Sequence, residues 1–419
     1  MRHSIIRIAL FLVGIAISLS FFIAAPAVHA DSSPILGTLH AGRRPEGLAV
    51  DTQTHLLYIG YEGSGTVVAF DPLSGRVRWS VPIGGTVTDV QVDSTTHRVF
   101  ATTSFQQSDL VVLDGASGHI VFSTRSCGGD SSLALDPALQ RVYEACAGSS
   151  SVNSFTFSSG WSSGAVQVVT KQIRVGVNVG AVAVNSKLHR LYVADRAQHT
   201  LYVLDELTGK TLATIDIGAV PVPPMRIDET TNRLYVVCST AQALDVIDGN
   251  TNRVLARVPV GPYPEGLSIN SATGRIYVAD EGENEVGPGS QTGTTITAID
   301  SRSFAVLGTL QVGLSPDGVA SDAELHRLYV ADEDSDAVVE ISDTPQMPLN
   351  TNGTFVQQSA ARQAVDLLHL AALLTLSAML LTLTGATLFA LLRRWRGRES
   401  LQTQPDAALS RSPLHSPRR

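Results

Sequence analysis

Between its two apolar ends the chain has little positive charge, few cysteines and no helical periodicity. Removing the +2 of residues 1–30 and the +5 of residues 393–419 from the whole-chain −8 leaves −15 for residues 31–392. Binding to phosphate backbones needs a basic face, so this balance argues against nucleic acid as a partner. Three cysteines allow at most one internal disulfide. The chain contains no G-x-S-x-G, no H-E-x-x-H and no Walker loop. Its glycine-rich stretches, such as "GPYPEG", lead into strands and not into helices, so they are not phosphate cradles.

The two ends carry the long apolar runs. Residues 1–30 have a basic start, an apolar run from Ile8 to Ala25 and small residues Val28 and Ala30 before Asp31. This reads as a secretory signal peptide cleaved before Asp31, with an uncleaved signal anchor as the other reading. Leu370–Leu392 offers 23 residues without a charge, enough to cross a bilayer as a transmembrane helix. "RRWRGR" follows at once and favours the cytoplasmic side. The expected order is a domain at 34–342, a linker or stalk at 343–369, the span at 370–392 and a basic, disordered cytoplasmic tail at 393–419. Either reading of the N-terminus places the main domain outside the cytoplasm; with the signal peptide cleaved, the chain is a single-pass protein of the cell membrane.

That domain is a repeat. Seven segments begin with Asp or Asn and carry an aromatic seven positions later: Asp51/Tyr58, Asp93/Phe100, Asp136/Tyr143, Asn185/Tyr192, Asp228/Tyr235, Asn270/Tyr277 and Asp322/Tyr329. The anchors lie 42, 43, 49, 43, 42 and 52 residues apart. Each unit reads as four short strands separated by turns, as in "GAVAV", "RLYVA", "TLYVLD" and "TLATIDI". A period in the forties with four strands per unit predicts an all-β, seven-bladed β-propeller. The last unit supplies only three strands. Residues 35–51 and 306–322 agree at nine of seventeen positions, so "PILGTLHAG" at the N-terminus is expected to complete the last blade and leave no long edge unpaired.

The units carrying "RLYVAD" (190–195 and 327–332) and "RIYVAD" (275–280), with "VG…P-E/D-G" lead-ins, resemble the YVTN-type β-propeller repeat over roughly residues 35–342. The resemblance implies the fold and a cell-surface or periplasmic setting, and it implies no activity. Related propellers carry haem or copper in electron transfer. The absence of a C-x-x-C-H motif argues against the haem version here.

Repeat columns separate structural residues from candidate functional ones. His55, His97, His189 and His326 share one column in the turn between the first two strands, a structural slot. Asp71, Asp114, Asp205, Asp248 and Asp300 share another, where side-chain capping of a turn explains them. Two further columns open on one rim. The lead-in column holds Glu46, Thr88, Ser131, Gly180, Pro223, Glu265 and Asp317, and the end of strand two holds Tyr61, Thr103, Cys146, Asp195, Cys238, Asp280 and Asp332. Units six, seven and one carry an acid at five of their six places. Glu281, Glu283, Glu285, Glu333, Asp334 and Asp336 crowd the same sector. Glu46, Glu265, Asp280, Asp317 and Asp332 are therefore the candidate ligand-binding residues, for Ca²⁺ or another divalent cation, or for a basic ligand. Turn capping and solvation of a rim is the structural alternative. Cys127 and Cys146 belong to one unit and one rim, where a disulfide is geometrically possible, which leaves Cys238 as a buried small hydrophobe.

No catalytic constellation emerges. The reading is a membrane-tethered binding or scaffold module with an unknown ligand or protein partner on its acidic rim. The alternative is a metal-dependent hydrolase or lyase with a divalent ion near the central funnel.

Overall fold

The structure is a computed structural model and describes residues 33–350 except 105–108, 128–130, 158–165 and 283–291. The signal segment, the 370–392 span and the 393–419 tail lie outside the described residues. Among the described residues no helix is long and apolar enough to cross a membrane.

Short strands rich in Val, Ile, Leu and Tyr alternate with tight turns, and antiparallel pairing of successive strands builds the sheets. The first strand of each unit lies innermost. Pro45–Val50 packs beside Thr86–Asp93, then come Ser131–Asp136, Val168–Asn185, Pro221–Asp228, Pro264–Asn270 and Pro316–Asp322, which returns to Pro45–Val50. Buried apolar clusters follow the same order, each shared by neighbouring units. The one that closes the circle joins Leu48, Ile59 and Phe70 to Ala320, Ala331 and Val338. The aromatic column is core: Tyr58, Tyr143, Tyr192, Tyr235, Tyr277 and Tyr329 are all buried.

Closure runs through the N-terminus. Ile35–Leu39 pairs antiparallel with Ala337–Ser342, with Thr38 opposite Val339 and Leu39 opposite Val338, so the first of the described strands completes the last of the described sheets.

Two expectations need correction. Five four-stranded blades stand as separate sheets among the described residues, not seven, and the remaining strands form one seven-stranded sheet. The reason is Val168–Asn185, which is 18 residues long. Its first half pairs with Ser149–Phe157 and its second half with Arg190–Asp195, so the outer strand of one unit runs unbroken into the inner strand of the next. Pro45, Pro221, Pro264 and Pro316 begin four of the other inner strands, and "SCGGD" (126–130) precedes Ser131, whereas "RVGVNVG" (174–180) has neither a proline nor paired glycines to interrupt the ladder.

The second correction concerns the stalk, expected from residue 343. Residues 343–350 instead pack on the last two units. Asp343 is fully buried and accepts hydrogen bonds from Asn270 and Tyr277, and Met347 enters the apolar core. Asn350 bridges to Thr309.

Candidate functional site

The anchor column explains itself first. Asp51 Oδ1 accepts the amides of Gln53 and Thr54, and Asp136, Asp228, Asn270 and Asp322 cap their turns in the same way. The histidine column occupies the left-handed position of these turns, with φ of 61° at His55, 53° at His97, 50° at His189 and 51° at His326. His is one of the few side chains enriched in that region. The imidazoles also reach across to the preceding unit: His97 Nδ1 lies 2.6 Å from Asp51 Oδ2, and His55 Nδ1 lies 2.8 Å from Asp322 Oδ2. The second aspartate column caps the outer turns, as Asp71 does for Leu73 and Ser74.

The "VG…P-E/D-G" lead-in is a packing device. Its first glycine lies against the end of strand two. A side chain at Gly42 would collide with the Tyr61 ring, at Gly261 with the Asp280 carboxylate and at Gly313 with that of Asp332. Its second glycine lies against the neighbouring unit's backbone. A Cβ on Gly266 would collide with the Asp317 carbonyl, one on Gly318 with the Glu46 carbonyl, and one on Gly47 would lie 2.7 Å from the Val90 nitrogen. Each Glu-Gly or Asp-Gly pair sits where the ladder shifts register, between Pro45 and Leu48, Pro264 and Leu267, and Pro316 and Val319. The bulges nest in series around the axis.

Glu46, Glu265 and Asp317 consequently line one axial recess of about 80 Å³, together with Thr88, Asp89, Ser132, Pro223, Pro224 and Arg226. Asp317 is surrounded deep in the opening. That desolvation, and then the charges of Glu265, Glu281, Glu333 and Glu62, hold its carboxyl well above the usual carboxylate range. Across the recess, burial raises Asp89, and the Arg226 charge partly offsets this. Asp89 Oδ2 accepts the Leu133 amide at 2.8 Å, which fixes it between two units. Burial also lowers the Arg226 guanidinium, against the pull of Asp89.

Asp280 and Asp332 do not join this group. Both are fully buried behind the lead-in turns, Asp332 at the end of its strand and Asp280 two residues before the end of Arg275–Gly282. Asp280 accepts from Gly261 N, Thr295 Oγ1 and Thr297 Oγ1 at 2.8–2.9 Å, and burial lifts it to about 6. Asp332 has no donor in bonding geometry on either oxygen; only the Gly313 amide stands near, and burial lifts it to about 7. Asp280 braces its lead-in turn through Gly261, as Asp195 does for Val177 and Ala197. Other sector acids are occupied as well. Arg44 pairs with Glu62 and Glu333, and its amide bonds Asp336 Oδ1 at 2.8 Å. Asp334 accepts from Ser315 Oγ. Glu283 and Glu285 lie outside the described residues.

Sequence reasoning missed Asp89 and Arg226. A signal was present for both. Two positions before each anchor stand Ala49, Gln91, Ala134, Ala183, Arg226, Ser268 and Ala320, so Arg226 is the one charge in a column of mostly small residues. Asp89 is likewise the one charge in the column that holds Gly47, Ser132, Ala181, Pro224, Gly266 and Gly318.

At the disulfide, Cys127 and Cys146 are bonded, with Cα atoms 5.4 Å apart, and Cys238 is free and buried.

The β-propeller domain of Cps50 (Swd1) from Myceliophteria thermophila matches over 74% of this chain and 99% of its own, with a TM-score of 0.61 at 11% identity. The fold is that of a β-propeller. At such identity the likeness carries the fold alone. No family model and no curated protein matches the chain.

Proposed function

We propose that the chain is an extracytoplasmic, membrane-tethered binding module that takes a cation, of which Ca²⁺ is the natural probe, in its axial recess. The observation that carries this reading is the convergence of Glu46, Glu265 and Asp317 on one recess through successive register shifts. Oxygen-only ligands suit a hard cation, and about 80 Å³ leaves room for an ion with waters. Arg226 on the opposite wall leaves the site able to hold a counter-anion or the acidic end of a ligand.

The architecture belongs to the same proposal. The repeat is read as one of the YVTN type. Tethering rests on the apolar run 370–392 and the basic residues after it. The hydrolase or lyase reading is weaker, because none of the residues lining the recess is a histidine or asparagine that could act beside a metal.

Calcium titration followed by melting temperature tests the proposal. A saturable rise that the double variant Glu265→Gln, Asp317→Asn lacks supports it; a wild-type protein indifferent to millimolar calcium removes it.

A further inference from the structure

A second group of ligand-bearing side chains lies in the turns between strands, apart from the axial recess. Asp136 ends the strand Ser131–Asp136, His189 precedes Arg190–Asp195, and Glu206 follows Thr200–Asp205. One donor atom from each lies within 4.8 Å of the other two. His189 Nδ1 stands 3.2 Å from Glu206 Oε2, and the Tyr143 hydroxyl donates to Glu206 Oε1 at 3.1 Å. Arg141 steadies the group by donating to the Tyr143 hydroxyl and to the Glu206 carbonyl.

The repeat shows what is unusual here. The backbone amide that follows strand three bonds the carbonyl of the left-handed turn residue in several units: Gly115 to His97, Glu206 to His189, Gly249 to Asn232 and Asp343 to His326. These positions are therefore equivalent. Where the seventh unit places an acid, Asp343, the sixth unit faces it with an amide, and Asn270 Nδ2 donates to it. Where the first and seventh units present an acid to the next histidine, Asp51 to His97 and Asp322 to His55, the position equivalent to Glu206 is Gly115 or Pro72 and adds no carboxylate. Asp136, His189 and Glu206 are the one group among the described residues in which two carboxylates and an imidazole bring a donor atom each within 4.8 Å of the others; at His55 the second carboxylate, Glu324, is exposed and meets the opposite ring nitrogen at 3.6 Å. Asp136 is fully buried, its Oδ1 is used by the amides of Ala138 and Leu139, and its Oδ2, which points into the group, has no hydrogen-bond donor.

We propose that Asp136, His189 and Glu206 form a binding site for a first-row divalent cation. One imidazole nitrogen with two carboxylates is a donor set that zinc accepts at about 2.0–2.2 Å, with a fourth position left for water. A cation takes the part that the Asn270 N–H takes at Asp343, an electropositive partner for a buried carboxylate. The His189 side chain is 43% exposed while Glu206 is closed off, so the metal enters and keeps its water on the histidine side. The Tyr143–Arg141 pair orients Glu206 from behind.

The test is equilibrium dialysis of the full chain, freed of metal, against zinc chloride. The variants Asp136→Asn and His189→Gln are measured alongside, with melting temperature as a second readout. Asp136→Asn copies Asn270, and glutamine already occupies the left-handed turn position at Gln140, so both substitutions have a precedent in this chain. The expected result is one zinc per wild-type chain, a melting temperature raised by zinc and restored by chelator, and affinity reduced about 100-fold or more in both variants. Asp136→Asn is also expected to melt above the metal-free wild type. If that variant does not fold, His189→Gln alone decides. Absence of zinc binding by the wild type, or binding by His189→Gln at wild-type strength, overturns the proposal.

Discussion

The carbonyl oxygen of Glu46 occupies the space that a side chain on Gly318 would take. This contact joins the last repeat unit to the first, and it sits beside the axial recess that both residues line. Gly318→Ala must push the two inner strands apart, and so must Gly266→Ala against the Asp317 carbonyl. Each is expected to cost about 1–3 kcal/mol, as overpacking does. Gly37→Ala is the control, since its added carbon meets only Glu340 Oε2, at 3.9 Å. Urea unfolding of the three variants checks this, and a Gly318→Ala protein as stable as Gly37→Ala would sink it.

Deleting residues 31–42 removes the strand that pairs with Ala337–Ser342, and with it the bond from Ser342 N to Pro34 O. The deletion leaves the last sheet with an open edge. A lower melting temperature and concentration-dependent association are expected. Equal melting temperatures with and without the segment would show that closure does not depend on it.

The Cys127–Cys146 bond closes a loop with a sequence separation of 19. In the chain-entropy account a loop of this size contributes about 3 kcal/mol. Cys127→Ser is expected to lower the urea midpoint by a corresponding amount. Mass spectrometry of protein from an oxidising compartment should find both thiols blocked and Cys238 free; two free thiols at 127 and 146 would contradict the pairing.

Stability should fall as pH rises through neutrality. Burial lifts Asp280 to about 6 and Asp332 and Glu333 to about 7. A carboxyl raised in the folded state contributes stability below its ordinary value, 3.8 for Asp or 4.5 for Glu, and loses it as pH climbs through the folded value. Asp51, Asp71 and Asp114 act the other way. Burial opposes the drop at each, but His97 with turn amides at Asp51, and Ser and Arg partners at the others, hold them low. Their contribution is lost as pH falls below the ordinary 3.8. Melting temperature is therefore expected to decline between about pH 5 and pH 8, less steeply in Asp332→Asn. A flat profile over that range would show that the buried acids are not strained by ionisation.

Much of this arrangement was legible in the residues. The anchor–aromatic spacing exposed the repeat because an aspartate or asparagine caps the turn and an aromatic ring fills the core at the same place in each unit. The match between 35–51 and 306–322 exposed the closing strand, because Ile35–Leu39 and Val306–Gln311 serve as equivalent outer strands, one in the last unit's sheet and the other in the sixth's. The run from Val168 to Asn185 was not legible as one strand. Neither a proline nor paired glycines interrupt the run, and turn-seeking patterns register what interrupts a strand more readily than what fails to.

The site was half legible. Column alignment found Glu46, Glu265 and Asp317, since all three occupy the same bulge. It also gathered Asp280 and Asp332, because a column records a position along a strand and not whether that position opens on the axis or on the turn behind it. Asp89 and Arg226 were passed over because the alignment stopped at the lead-in column and the end of strand two, whereas these residues stand one and three places further along the inner strand, Asp89 at the second unit's shorter register shift and Arg226 just past the bulge that Pro223 and Pro224 fill.

The most direct measurement of the central claim is calorimetric titration of the full chain with calcium at neutral pH. Wild type, the Glu265→Gln, Asp317→Asn double variant and Asp136→Asn are compared. The account predicts one saturable site in the wild type, the same site in Asp136→Asn, and none in the double variant while its melting curve stays cooperative. Calcium binding of equal strength in the double variant, or no binding by the wild type at millimolar calcium, would contradict it.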